Sequence, residues 1–179
     1  MMTGGGQPLP ALSADISGAF KMRLALVLSL LLAGLASTAP ALAQGTCAAT
    51  LATKTEAEVL AAVNRLRAGA GIRALQANRQ LALVAQAHAC DNAARSSYSH
   101  TGSDGSDLAQ RLRRGQYDYR DAAENTGLGH ATVQAMVDFW ARSPGHRANL
   151  LNPALTEAGL GLSRTAKGRN VWVLVQGRR

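Results

Sequence analysis

The chain has 179 residues, of which 47% are hydrophobic, 17% charged and 4% aromatic. This composition excludes a charge-rich disordered polymer, and the length suits one domain better than two. Two cysteines exclude a disulfide-dense mini-protein and a four-cysteine zinc site. Basic residues exceed acidic ones by 19 − 11 = 8, so we expect anionic surfaces among the partners, such as lipid head groups or acidic wall polymers.

Residues 1–43 have the layout of an N-terminal extension followed by a secretory signal peptide. Two basic residues precede an apolar run over residues 24–36, and a small-residue cleavage motif follows at residues 41–43. The run is shorter than the roughly 20 apolar residues of a transmembrane helix. We predict a leader that truly starts at Met22, a secreted or periplasmic protein, and a single mature domain over residues 44–179.

Export would place Cys47 and Cys90 in an oxidising compartment. A disulfide between them is then the favoured prediction, and two buried free thiols are the alternative. The bond would tie the mature N-terminus to the second predicted helix.

Hydrophobic periodicity predicts that the mature domain is mainly helical at first. The second helix follows Asn78 and carries His88 on its apolar side, whereas residues 96–106 are rich in Ser and Gly and predict a loop. The five predicted helices begin near Thr55 in a capping box with Glu58, after Asn78, at Ser106 or Asp107, at residue 131, and at Pro144.

Strand patterns come late in the chain. Residues 157–163 alternate between apolar and small or polar side chains, and residues 171–175 are apolar on both faces, as in a covered central strand. A third short strand is predicted at residues 125–129, after an irregular stretch over 116–123. The resulting class is α+β, with a small sheet between helical layers.

The candidate chemistry rests on four histidines and a few carboxylates, because metalloprotease, serine-hydrolase-elbow and P-loop motifs are absent from the sequence. His100 lies in the polar loop, and His146 lies near a helix start that disfavours its protonation. Glu124 precedes a strand. Glu157 heads a strand face of glycines that leaves room for a ligand or for a closely packed helix. Judged alone, each of these residues is better explained by a structural or surface role than by a functional one.

Several separated motifs resemble the bacterial branch of the CAP superfamily, which contains cysteine-rich secretory proteins, antigen 5 and plant pathogenesis-related proteins. The resemblance covers about residues 56–177. The motifs, in order, are Asn64-Arg65-Leu66-Arg67, Ser99-His100-Thr101-Gly102, Glu124-Asn125, Trp140, Ser143-Pro144-Gly145-His146-Arg147, Leu151-Asn152-Pro153, and Thr156-Glu157 with Gly159 and Gly161.

The resemblance implies a three-layer α-β-α sandwich with a small, mainly antiparallel central sheet. It also implies a surface cleft lined by His100, Glu124, His146 and Glu157. The last two positions are exchanged relative to the eukaryotic branch, so the first two are the firmer pair. Two imidazoles and two carboxylates suit a divalent metal, with Zn²⁺ favoured over Ca²⁺, and no organic cofactor is expected.

Family members have been linked to lipid binding, peptide cleavage and cell-wall defence, and fold alone does not choose among these activities. We expect a non-enzymatic module that binds a metal and an extracellular lipid or other ligand. The alternative is a metal-assisted hydrolase of peptides or cell-wall material. Membrane contact would be peripheral at most. Specific nucleic-acid binding is not expected, because Arg111, Arg113 and Arg114 suit a solvated helix face.

Overall fold

The computed structural model describes residues 53–179; the predicted leader and Cys47 lie outside these residues. None of the described helices is both long enough and apolar enough to cross a membrane. In chain order the elements are α1 (Thr53–Gly69), β1 (Gln76–Ala77), α2 (Arg79–Ala94), α3 (Leu108–Arg114), β2 (Asp121–Leu128), α4 (Val133–Arg142), α5 (Pro144–Leu150), β3 (Glu157–Arg164) and β4 (Asn170–Arg178).

Side-chain caps fix most helix starts where the sequence predicts them. The Asn78 side chain accepts hydrogen bonds from the first backbone amides of α2, and Asp107 forms a capping box with Gln110 at the start of α3. The predicted box at Thr55 is wrong, because Thr55 lies inside α1 rather than before it. Pro144 opens α5, but Ser143 makes no side-chain cap bond there.

The four strands form one sheet in the order β1-β3-β4-β2. Two pairings are antiparallel and the two-residue pairing of β1 with β3 is parallel, so the sheet is mainly antiparallel, as predicted, but mixed. The short β1 has no periodicity and was not predicted. β2 begins at Asp121, inside the stretch predicted to be irregular, because it pairs with β4 as far as Arg178.

Helices cover both faces of the sheet and complete the predicted α-β-α sandwich. Residues of β4 alternate between the two cores, which confirms the prediction of a covered central strand. One core joins α1, α4 and α5 to the sheet and includes Val59, Val63, Met136, Trp140, Leu150, Leu160, Trp172 and Leu174. The other joins α2 and α3 to it and includes Leu81, Val84, Ala85, Leu112, Tyr117, Val173 and Val175.

Glycines on β3 let α2 lie directly on the strand. A Cβ atom added at Gly159 would stand 2.0 Å from the Ala82 nitrogen, and one at Gly161 would stand 2.2 Å from the Ala85 oxygen. No side chain fits at either position without moving backbone. Of the two readings that the glycine-rich strand face allowed, a closely packed helix is the one observed.

Arg67 is a fully buried cation that ties α1 to the segment between α5 and β3. Its guanidinium donates to the carbonyl oxygens of Arg73, Leu150, Asn152 and Leu155 at 2.7–3.0 Å. Burial lowers its pKa, and no carboxylate within residues 53–179 forms an ion pair with it. Backbone oxygens alone therefore satisfy this charge.

We expect Arg67→Ala to lower the free energy of unfolding by at least about 3 kcal/mol, because it leaves buried carbonyl groups without donors. Arg65→Ala is the matched control, since Arg65 lies on the same helix with an exposed side chain. Urea unfolding of both variants measures the difference. Equal stabilities would show that Arg67 does not hold the α5–β3 segment.

Candidate functional site

A carboxylate–histidine pair joins the loop after α2 to the sheet. Glu124 lies on β2, and its Oε1 is 2.8 Å from Nδ1 of His100. Arg111 of α3 donates from Nη2 to Oε2 of the same carboxylate at 2.8 Å. The Glu124 side chain is 3% exposed and that of His100 is 60% exposed. Glu124 is thus a buried anchor, and His100 is the group that it presents to solvent.

Arg111 corrects the prediction that the three arginines of α3 form a solvated face. Its side chain is 8% exposed, and its Nη1 donates to the carbonyl oxygens of His100 and Ser106. It therefore holds the middle and the C-terminal end of the Ser/Gly loop as well as the carboxylate. Arg113 and Arg114 are exposed, as expected.

His88 supports the same loop from α2. Its Nε2 is 2.8 Å from the carbonyl oxygen of Ser99, and Asn92 donates to that oxygen at 2.9 Å. Burial lowers the pKa of His88, which favours the neutral ring, although Nε2 lies 3.8 Å from Glu124. His88 thus has a structural role, as its place on the apolar side of the helix predicts. It positions Ser99, the residue that precedes His100.

His146 lies in the first turn of α5 and borders the same cleft as His100. Its Nδ1 is buried and has no hydrogen-bond partner within residues 53–179. Burial lowers the pKa of His146, and the nearby His100 lowers it further. The pKa of His100 is raised, mainly by its hydrogen bond to Glu124. The two rings therefore differ in charge preference: His100 gains a proton first, and His146 stays neutral.

The cleft has a volume of about 740 Å³. Several of the residues that border it lie outside the motifs, among them Tyr98, His130, Phe139 and Arg169. The rings of His130 and Phe139 are 4.8 Å apart, and those of Phe139 and His146 are 5.6 Å apart. The cleft combines residues from separate elements, so no local pattern predicts its lining. The one sequence signal for Tyr98 and Phe139 is that each lies next to a motif residue.

Glu157 does not lie in this cleft. It heads β3, where Tyr117 donates to its Oε2 at 2.6 Å and Asn78 donates to its Oε1 at 2.9 Å. These bonds hold the pKa of Glu157 below its usual value against the effect of burial. Of the four residues expected to converge, the structure brings His100, Glu124 and His146 together and places Glu157 elsewhere.

The cleft contains fewer possible metal ligands than the four residues expected from the sequence. Within residues 53–179, no group of three or more His, Cys, Asp or Glu side chains is arranged to hold a metal ion. Both oxygens of Glu124 are engaged, so the imidazoles of His100 and His146 are the groups with coordinating capacity to spare. A second cavity, of about 470 Å³, is bordered by His88 and Arg111 and by the aliphatic side chains of Leu83, Val84 and Ala87.

Comparison with known families agrees with this fold. The model of the cysteine-rich secretory protein family, CAP, matches residues 60–176. The chain belongs to the CAP family. The matched range contains every motif around His100, Glu124 and His146, so the CAP domain is the part of the chain that builds the cleft.

Two Bacillus subtilis proteins are similar to this CAP domain. The uncharacterized membrane protein YlbC is 32% identical over 112 residues, which are 63% of this chain and 32% of YlbC. The uncharacterized protein YkwD is 31% identical over 130 residues, 70% of this chain and 51% of YkwD. The chain therefore spans about a third and about half of the lengths of these two relatives.

Solved structures share the fold. An extracellular protein with an SCP domain from Bacillus anthracis has a TM-score of 0.63 and 28% identity, over 71% of this chain and 41% of that one. An outer surface protein of Borrelia burgdorferi has a TM-score of 0.64 and 21% identity, over 69% and 91% of the two chains. The CAP fold is thus shown by sequence and by structure.

We expect Arg111→Ala to lower the free energy of unfolding by about 3–5 kcal/mol, because it leaves the Glu124 carboxylate buried without a cation. Arg113→Ala, on the exposed side of the same helix, should cost far less. Urea unfolding at pH 7 compares the two. Equal effects would show that the Arg111–Glu124 pair does not anchor the loop.

Proposed function

We propose that this CAP-domain protein is exported and that its cleft binds a divalent metal, preferably Zn²⁺, together with an extracellular ligand. The metal would be held by His100 and His146. The observation that carries the proposal is the contact between His100 Nδ1 and the buried, Arg111-backed carboxylate of Glu124. It fixes the orientation of an imidazole whose other nitrogen is left for coordination.

A histidine that binds a metal through one ring nitrogen usually bonds a carboxylate or carbonyl through the other. Glu124 gives His100 this partner, and the bond assigns the Nδ1 proton when the ring is neutral. Nε2 of His100 makes no hydrogen bond with residues 53–179, so its lone pair is available. In this arrangement Glu124 orients a ligand rather than being one.

His146 would be the second nitrogen ligand, but no carboxylate or carbonyl of the described residues holds its Nδ1 as Glu124 holds that of His100. Its buried Nδ1 lacks a partner in the described part of the chain, and its lowered pKa favours the neutral form that binds metals. Two nitrogen ligands suit Zn²⁺ and leave open positions, whereas Ca²⁺ prefers six to eight oxygens. A metal bound there would polarise an oxygen of the ligand.

The geometry favours a binding module over the metal-assisted hydrolase. A catalytic zinc site usually has three protein ligands and an open position for water, whereas no group of three or more His, Cys, Asp or Glu side chains within residues 53–179 is arranged to hold a metal ion. The exposed Tyr98 and Phe139 border the same cleft and would contact the ligand beside the imidazoles.

Export is supported by the leader pattern and by the surroundings of similar proteins. The structural neighbours from Bacillus anthracis and Borrelia burgdorferi are named as extracellular and outer surface proteins. The formal net charge of +8 suits weak, salt-sensitive attraction to anionic lipid or wall polymer. Any membrane contact of this domain would then be peripheral.

Zinc binding is tested by titration calorimetry at pH 7.5. His100→Ala and His146→Ala should each weaken Zn²⁺ binding more than about tenfold, and Glu157→Gln should leave it unchanged because Glu157 lies outside the cleft. Affinity should fall with decreasing pH from above about 6.5, since Glu124 raises the pKa of His100 and protons compete there. Equal affinities of the wild type and His100→Ala would contradict the proposal.

Export and oxidation are tested together by intact-mass analysis of protein collected outside the cytoplasm. The expected mass begins near Gln44 and lacks two hydrogens, as for a disulfide between Cys47 and Cys90. Thiol alkylation without reduction should add nothing, whereas alkylation after reduction should add two groups. Two alkylated thiols in unreduced exported protein would reject the pairing.

A further inference from the structure

The exposed aromatic side chains of the domain are concentrated at the His100 cleft. The large hydrophobic side chains that are exposed within residues 53–179 are Leu83, Tyr98 and Phe139. Tyr98, 61% exposed, and Phe139, 37% exposed, both border this cleft. Aromatic side chains are enriched at binding interfaces, and exposed rings that border one cleft therefore indicate a binding surface. The cleft thus offers ring faces to its ligand.

The other side chains around the cleft are mostly polar. Ser99 and Thr101 supply hydroxyl groups, whereas the hydroxyl of the buried Thr126 donates to the carbonyl oxygen of Tyr98. Leu128 is the one aliphatic side chain among the described residues that border the cleft. The second cavity, which His88 and Arg111 border, offers the three aliphatic side chains of Leu83, Val84 and Ala87 together with polar and charged ones. An acyl chain would suit aliphatic walls. Rings interleaved with hydroxyl groups suit a molecule with one apolar face and a hydroxyl-bearing edge, which is the surface of a sugar ring.

An unpaired cation stands at the edge of the cleft. Arg169 is exposed in the turn between β3 and β4, and its guanidinium forms no ion pair and donates no hydrogen bond within residues 53–179. It covers Gly129, where an added Cβ would stand 3.0 Å from Nη2 and where φ is +90°. A planar guanidinium with all its donors free matches a carboxylate.

From this juxtaposition we infer that the cleft binds a carboxylate-bearing sugar unit of an extracellular polysaccharide. The sugar ring packs on Tyr98 and Phe139, its hydroxyl edge faces the hydroxyls of Ser99 and Thr101, and its carboxylate pairs with Arg169. The inference rests on the proposed function for the place of the site, and it names the class of ligand.

The test is titration calorimetry of the full-length exported protein with four probes. Two carry carboxylates, namely an oligogalacturonate hexamer and glycan strands that contain N-acetylmuramic acid. Chitohexaose is the neutral control, and laurate represents an acyl chain. We expect the acidic sugars to bind at least about tenfold more tightly than chitohexaose, a difference of about 1.4 kcal/mol. Which acidic sugar binds better identifies the source of the carboxylate.

Three variants locate the binding. Tyr98→Ala should weaken both acidic sugars at least about tenfold, and it should fold normally because no described hydrogen bond uses the Tyr98 side chain. Arg169→Gln should remove the preference for acidic over neutral sugar. Leu83→Ala is the matched control on the second cavity and should change neither affinity. Thermal melting of each variant verifies its fold.

The inference is overturned if neither acidic sugar binds, if acidic and neutral sugars bind equally, or if laurate binds instead in a Tyr98-dependent manner. Zinc titration of the same preparations keeps the two proposals separate. Zinc binding without sugar binding refutes this inference alone, and sugar binding without zinc binding refutes the metal part of the proposed function. Tyr98→Ala should retain the zinc affinity of the wild type, since Tyr98 offers no ligand to the metal.

Discussion

The contact between α2 and β3 is the constraint on which the rest of the domain depends. Because Gly159 and Gly161 have no side chains, the helix backbone lies against the strand backbone. This approach fixes the height of α2 above the sheet. His88 and Asn92 project from α2 to the carbonyl oxygen of Ser99, so the position of the functional loop is set by two glycines on a distant strand.

Electrostatics then fix the other side of that loop. Glu124 is buried, and desolvation of a carboxylate is costly unless it is paired and hydrogen-bonded. Arg111 meets this requirement and simultaneously binds the carbonyl oxygens of His100 and Ser106. The buried pair therefore both satisfies its own charges and orders a loop that has no secondary structure. His100 owes its direction and its raised pKa to that one carboxylate.

The fold was predictable from the sequence where one residue or one local pattern determines the structure. Asn78 can be recognised as a cap because a cap acts within three residues, and β4 can be recognised because both of its faces are apolar. Pairing over long distances carries no such local signature. The two-residue β1 exists only because it pairs with β3, and the first residues of β2 are a strand only because they pair with β4.

The residues of the candidate site likewise fall into those that the sequence predicted and those that depend on distant neighbours. The motifs identified His100 and Glu124, which are hydrogen-bonded, because family motifs record contacts that local patterns do not. Arg111 could not be recognised as buried, since a short basic helix looks like a solvated one until its neighbours are known. Glu157 was placed in the cleft by the motif that contains it, but Tyr117, outside any motif, bonds its carboxylate instead.

Arg111 borders the smaller cavity. The same guanidinium donates to the carboxylate of Glu124, which bonds His100 at the larger cleft. A shift of this guanidinium in response to a ligand in the smaller cavity would therefore also change its contact with the Glu124 carboxylate. If a ligand in the smaller cavity changes the affinity of the larger cleft by some factor, a ligand in the larger cleft must change the affinity of the smaller cavity by the same factor. Coupling between two binding equilibria is always reciprocal.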